Sequence, residues 1–352
     1  MGRIGVSEAI WTAKRPDRSG EWREIMSHPQ ILRWSLLFCL GTACSGESDA
    51  TDTYSAEDTS DDGGAGSGGD QDTGDQSEGE DDTDADQDSD TPEAQDYRQS
   101  GGYGVDTTSE SVSVTSCTMS ATVYSPRGES PIATVVLSHG FARSEANMVG
   151  WAEHYASWGF KVVTPALCHS SLWDTDHSQN ADDLIDLAGA LAEGGVIYAG
   201  QSAGGLSSLL AGSRDDDALG VMGLDATDAE DIGLSAAGSL RVPVYGLAGE
   251  PSSCNASNNG LDVYASLDQA QVLRVTEADH CDFESDTNAV CTVFCEGTND
   301  QFSDDEIRLA ILGLSTSALL SFAGQSEAAD GWWMSTGAYF RELDEQGIIS
   351  AP

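Results

Sequence analysis

The 352-residue sequence predicts an α/β fold, a mostly parallel sheet flanked by helices on both faces, and three observations lead there. First, short β-branched runs alternate with helical patterns from residue 133 onward. Second, Ala133-Thr134-Val135-Val136-Leu137-Ser138 and Val196-Ile197-Tyr198-Ala199 are continuous apolar runs, the pattern of strands buried on both faces. Third, the second run leads straight into Gly200-Gln201-Ser202-Ala203-Gly204-Gly205, and a helical pattern at Leu206, Leu209 and Leu210 follows. Repeated strand–helix alternation calls for parallel strands joined by crossovers.

Composition divides the chain into three parts. Residues 1–44 form an N-terminal extension and export signal, with Met1 and Met26 both available as starts. After Arg33 comes the short apolar core Trp34-Ser35-Leu36-Leu37-Phe38-Cys39 and then Leu40-Gly41-Thr42-Ala43-Cys44. That core is too short for a permanent membrane span, and it ends in small residues as cleaved signals do. Its end resembles a bacterial lipobox, which makes Cys44 the expected lipidation site and the membrane, through that anchor, an expected partner. The alternative is an ordinary cleaved signal and a secreted protein. Residues 45–96 are an acidic linker without Lys or Arg, too poor in apolar side chains to order themselves. Within it, the Asp-rich run 82–90 lacks the Gly and closing Glu of a calcium loop. Residues 97–352 make one domain. The formal charge of -45 argues against nucleic acid and anionic lipid surfaces as partners.

Within the domain, Ser111–Val114 and Ala121–Tyr124 alternate and are expected as antiparallel strands at a sheet edge. The buried strand ending at Ser138 runs into His139-Gly140-Phe141. A helix with Met148, Trp151, Ala152 and Tyr155 precedes the strand Lys161–Thr164, and a helix over Ala181–Ala192 precedes the strand that carries Ser202. Further strands are expected at Gly220–Leu224, Val242–Leu247 and Gln271–Val275. The last helix opens on the capping box Ser303-Asp304-Asp305-Glu306. No insertion is long enough for a cap domain, so an open cleft is expected, with Phe141 and Trp173 as candidate apolar walls.

Gly-x-Ser-x-Gly between a strand and a helix is the context of a strained nucleophile turn. Ser202 is the candidate nucleophile, and a serine nucleophile needs a base, an acid to orient it and donors for an oxyanion. His280 is the sole histidine after Ser202, which makes it the base. For the acid, Asp225 at the end of a strand is favoured, with Glu250 and Asp228 as alternatives. The backbone amides of Phe141 and Ala203 are the expected oxyanion donors. His139 is expected to pack beneath its loop. His154, His169 and His177 have no ligand spacing and read as surface or loop residues, so neither a metal nor a cofactor is expected. Six domain cysteines, Cys117, Cys168, Cys254, Cys281, Cys291 and Cys295, predict three disulfides among 15 connectivities. A Cys254–Cys281 bridge is the pairing expected to staple the active-site loops.

Over residues 110–325 the chain resembles the chlorophyllase-like branch of the α/β-hydrolases, near bacterial cutinase-like polyester hydrolases. The likeness rests on Val135-Val136-Leu137-Ser138-His139-Gly140-Phe141, on Ala156-Ser157-Trp158-Gly159-Phe160 with Lys161–Pro165, and on the turn at Ser202. It extends to Gly223-Leu224-Asp225 and Asp279-His280-Cys281-Asp282. The resemblance implies an α/β-hydrolase fold, cofactor-free ester hydrolysis by a Ser-His-Asp triad, and Asp225 as the acid, although Ala226 stands where the family has Pro. The expectation is an exported, monomeric serine hydrolase acting on lipid-like, polymeric or otherwise bulky esters. Two other functions compete with it: a non-catalytic surface binding protein on the same fold, and an acyltransferase with the same triad.

Overall fold

A computed structural model describes residues 95–352. The expected export signal, Cys44 and all but the last two positions of the acidic linker lie outside the described residues.

A nine-stranded sheet runs through the domain. In chain order its strands are β1 (Val105–Ser113), β2 (Thr118–Pro126), β3 (Thr134–Ser138), β4 (Lys161–Pro165), β7 (Val196–Gln201), β8 (Ala218–Leu224), β9 (Val244–Ala248), β10 (Ala270–Val275) and β11 (Ile349–Ser350). Two short strands, β5 (Ser170–Ser171) and β6 (Asp174–Thr175), form a separate hairpin. The sheet order is β1-β2-β4-β3-β7-β8-β9-β10-β11. The six strands from β4 to β10 are parallel, whereas β1, β2 and β11 pair antiparallel at the edges.

Side-chain alternation explains the two layers of helices. Val135, Leu137, Ile197, Ala199, Met222, Leu224 and Leu247 face one side, packed with α1 (Val149–Ser157), α7 (Asp304–Phe322), α8 (Ser326–Trp333) and α9 (Ala338–Gln346). Val136, Val163 and Tyr198 face the other, against α2 (His177–Leu191) and α3 (Ala203–Arg214). Val221 and Val244 join Val263 and Tyr264 of α5 (Gly260–Ala265) on that same side. Period-two alternation across a pleated sheet puts successive residues on opposite faces. Both faces are apolar here, hence the uninterrupted apolar runs in the sequence.

The helices begin where capping dictates. Ser303 and Glu306 form a reciprocal capping box at the start of α7, and 13 of that helix's 19 residues are buried. Asp176 accepts the Gln179 amide and starts α2 at His177, four residues before the expected start. His177 is therefore helical and half-buried rather than in a loop. His154 is also corrected: it lies buried in α1, bonded to the Tyr97 carbonyl at 3.0 Å. Burial pushes that imidazole down to about 4. α7 is not the last helix, since α8 and α9 follow and bring Trp332, Trp333 and Leu343 into the core. The segment at the expected domain start packs too: the Tyr97 ring lies 4.9 Å from that of Trp158.

Two short helices fill the gaps between strands: α4 (Ile232–Ala237) before β9, and α6 (Ala289–Cys295) after β10. α6 is barely packed. Of its seven residues only Cys291 is buried, while Val290, Val293 and Phe294 are exposed. A helix this short does not hold itself together in water. Two disulfides anchor it, Cys281–Cys291 and Cys254–Cys295, and the third, Cys117–Cys168, ties the turn before β2 to the segment after β4. The expected Cys254–Cys281 pairing is thus wrong: both cysteines reach to α6 rather than to each other. Among the described residues no helix is long and apolar enough to cross a membrane.

Candidate active site

Neighbouring strands β3 and β7 mark the point where chain direction through the sheet reverses. From β3 the chain moves to β4 on one side, and from β7 to β8 on the other. Loops leaving such a pair diverge, and a crevice opens at the carboxyl edge of the strands. The loop His139-Gly140-Phe141 and the turn at Ser202 border that crevice.

Ser202 has φ 55° and ψ -123°, a left-handed conformation that costs a non-glycine residue about 1–3 kcal/mol. The sheet holds it there: its amide donates to the Leu224 carbonyl at 3.0 Å, and its carbonyl accepts from Leu206 at 3.2 Å. Close approach accounts for the flanking glycines. A Cβ on Gly200 would collide with the Gly204 backbone, and one on Gly204 with the carbonyls of Ser138 and His139. The turn sets Ser202 at the N-terminus of α3, where free N–H groups favour developing negative charge. Neither the Ala203 amide nor the Phe141 amide donates to a protein acceptor among the described residues.

His280 lies in the loop after β10 and is buried. Its Nδ1 sits 2.6 Å from Asp225 Oδ2. Asp225 follows β8 with φ 45° and is 2 % exposed. Its Oδ1 accepts the Gly249 amide at 2.9 Å, and the Asn255 side-chain amide reaches Oδ2 at 3.1 Å. These donors and the imidazole fix the carboxylate in place. The fully buried Tyr264 stands close to Asp225, and burial together with that negative charge raises its phenol far above the ordinary range. The geometry therefore pairs Asp225, not the alternatives, with His280. Glu250 is half exposed and faces Arg274 at 3.7 Å. Asp228 caps α4 instead, accepting the amides of Gly233 and Leu234 at 2.8 and 2.9 Å.

Ser202 and His280 open onto one cavity of about 230 Å³, walled by Phe141, Val290, Phe294 and two disulfides. One polar pair lines it: the Arg143 guanidinium clasps Glu284 in a two-pronged ion pair and donates to Asn288 Oδ1 at 3.1 Å. That pair joins the loop that carries Phe141 to the segment between His280 and α6. His139 supports the loop from below. Burial pulls its pKa down, so the neutral ring donates from Nδ1 to the Gly140 carbonyl at 2.8 Å and accepts the Leu167 amide at 3.2 Å. Trp173 is 96 % exposed at the tip of the β5–β6 hairpin and stands outside the cavity wall.

Three residues at the site carried no recognised signal in the sequence. Asn255 grips Asp225 from a loop whose next three residues, Ala256, Ser257 and Asn258, all have positive φ. Gln201 is the variable position of Gly-x-Ser-x-Gly, and its side-chain nitrogen lies 3.1 Å from His280 Nε2. Glu284 is one more acid among many in the sequence. The sulfurs of Cys281, Cys291 and Cys295 lie within 4.8 Å of one another, but each belongs to a disulfide and offers no thiolate to a metal. His169 Nδ1 is hydrogen-bonded to Asp174 Oδ1 at 2.9 Å. No family model matches the chain, and no curated protein sequence matches it.

Proposed function

We propose that the chain is a serine carboxylic ester hydrolase of the α/β-hydrolase type, working through an acyl-enzyme. The observation that carries this reading is the buried Asp225–His280 pair, which opens onto the same cavity as a strained Ser202 beside two unpartnered amides. The chain order serine, acid, histidine along successive parallel strands supports it as well.

In the proposed reaction His280 Nε2 takes the Ser202 proton while Oγ bonds to the ester carbonyl carbon. The carbonyl π pair moves onto oxygen, where the Phe141 and Ala203 amides receive it. Collapse of that intermediate breaks the carbon–alkoxy bond, and His280 returns the proton to the leaving alcohol. Water, deprotonated by His280, then releases the acid and restores Ser202. Asp225 keeps the ring in the Nδ1–H form throughout.

The apolar wall and its surroundings support bulky, apolar esters as the substrate class. Phe141, Val290 and Phe294 line the cavity, and Val293, Leu172 and Trp173 add further exposed apolar surface in α6 and the β5–β6 hairpin. Three disulfides fit an oxidising compartment outside the cytoplasm. Anchoring through Cys44 remains part of this proposal. The test is covalent labelling of the full-length chain by a fluorophosphonate, followed by an ester panel from short to long acyl chains. Stoichiometric labelling at Ser202, abolished in Ser202→Ala, is expected. Folded protein that resists the probe and cleaves no ester would leave a binding protein on the same fold.

A further inference from the structure

We propose that Gln201 is a positioning residue for the base: its side-chain amide holds the His280 Nε2 lone pair at rest and yields it when the serine proton arrives. The inference rests on the hydrolase reading and deepens it.

The assignment of protons around His280 follows from its two contacts. Asp225 Oδ2, at 2.6 Å from Nδ1, can only accept, so Nδ1 carries the hydrogen. In a neutral ring Nε2 is then a lone pair, and the group facing it at 3.1 Å is the Gln201 amide nitrogen, a donor. Ser202 Oγ does not occupy that lone pair in this structure. The Gln201 side chain is 1 % exposed and anchored at the carboxyl end of β7, which limits its freedom to turn. Its Oε1 is buried without a partner and points at Gly140, where any Cβ would overlap it. With the amide turned round, that oxygen would face the Nε2 lone pair of a neutral ring, acceptor against acceptor. The donor arrangement is the one that suits a base poised to accept a proton.

The same arrangement opposes the charged ring. Once Nε2 holds the Ser202 proton, two N–H groups confront each other, and the amide's remaining acceptor is the His280 carbonyl at 3.4 Å. Gln201 thus offers Nε2 a donor that matches its lone pair and has no acceptor placed for a proton there. The other charged groups around the ring are Asp225 after β8, the Arg143–Glu284 pair in the cavity, and Asp279 and Asp282 in its own loop, and the Gln201 side chain bonds to none of them. Removing the facing donor, or replacing it with a carboxylate, therefore favours the protonated ring in the variant relative to wild type.

The test compares full-length wild type with Gln201→Leu and Gln201→Glu. Two rates are followed against pH: kcat/KM on a soluble p-nitrophenyl ester, and inactivation by a fluorophosphonate. In Gln201→Leu the acid-side midpoint is expected to rise by about 0.5–1 pH unit, with KM changed less than about twofold. In Gln201→Glu it is expected to rise further, because a carboxylate facing Nε2 stabilises the protonated ring. A merely structural role would not produce this order. Coincident profiles, or a Leu variant whose midpoint falls, would overturn the proposal. Should the Leu variant fail to fold, the Glu variant decides by the same sign. Wild type that neither labels nor hydrolyses would remove the hydrolase reading and this proposal together, whereas a reactive wild type with an unmoved variant midpoint removes the proposal alone.

Discussion

Replacing Asn255 with alanine is the sharpest structural test of Asp225 as the proposed triad acid. Asn255 is fully buried, and its amide nitrogen serves both Asp225 Oδ2 at 3.1 Å and the Glu250 carbonyl at 2.8 Å. Its oxygen accepts the amides of Ser252 at 2.8 Å and Asn258 at 3.2 Å. Those bonds hold a turn in which Ala256, Ser257 and Asn258 take φ of 50°, 56° and 60°. Three consecutive left-handed residues cost about 1–2 kcal/mol each and persist only where the surroundings enforce them. Alanine removes a charge-assisted bond to Asp225, worth about 1.5–3 kcal/mol, and strands further backbone groups. Water entering the space recovers part of this, so a net loss of about 2–4 kcal/mol is expected. In a domain of this size that lowers Tm by roughly 5–15 °C. Asp225 keeps Gly249 but loses its second anchor, and kcat is expected to fall about 10- to 100-fold with little change in KM. Thermal melts and steady-state kinetics on a soluble ester measure both. An alanine variant within 1 °C and within a factor of two of wild type, taken here as roughly the resolution of the assays, would refute the assigned role of this loop.

Three further outcomes are expected. Asp282 is pushed up to about 7, first by burial and then by the charge of Asp279. The folded state therefore holds a proton that the unfolded chain releases near 4, so this group's contribution falls as pH rises from about 4 to 7. Asp282→Asn should consequently melt higher than wild type at pH 8 by a few degrees, with the difference vanishing at pH 4; equal melts at pH 8 would contradict the assignment. Glu284→Gln takes the counter-charge from Arg143, whose side chain is 11 % exposed at the cavity, and a cost of about 3 kcal/mol, the low end for breaking a buried pair, is expected. Differential scanning calorimetry should show a large drop in Tm, and a silent substitution would mean that the pair does not hold the loop that carries Phe141. The double variant Cys254→Ser, Cys295→Ser frees one end of α6, and long-chain esters should lose several-fold more in kcat/KM than acetate esters. Uniform loss across chain lengths would instead tie this disulfide to the triad.

What the sequence made legible was whatever is encoded locally. The turn at Ser202 could be read because strand, glycines and helix are contiguous, and the strand core because uninterrupted apolar runs mean burial on both faces. Asp225 and His280 emerged from chain order plus position at strand ends. The failures are long-range. Neither Cys254 nor Cys281 carries a mark of its partner, and both bridges end on α6, whose run Ala289–Cys295 has no amphipathic pattern to announce a helix. Asn255 grips Asp225 across 30 positions, from a turn with no periodicity. The burial of His154 was not legible because it follows Glu153 in the helix, and nothing local shows that Tyr97, 57 residues earlier, supplies its acceptor.

Two parts of the site are held by different forces. The groups proposed to carry the chemistry sit on sheet edges backed by the core: Ser202 by β7 and α3, Asp225 by β8, and His280 by Asp225 and Gln201. Fully burying one large apolar side chain contributes about 1.5–3 kcal/mol, and the helices covering the sheet bury many of them. α6 buries one side chain and owes its place to two covalent bridges. Val290 and Phe294 in the cavity wall therefore stand on a covalent support rather than a packed one, and its two bridges start beside His280, at Cys281, and beside Asn255, at Cys254. Substitutions at Val290, Val293 and Phe294 that spare Cys291 and Cys295 can therefore reshape the cavity mouth without rebuilding core packing, whereas loss of either bridge acts next to His280 or Asn255. Exposed apolar side chains on an unpacked helix are a liability in an isolated monomer. Their position at the mouth of a cavity containing Ser202 is what makes a bulky apolar substrate the most economical account of them.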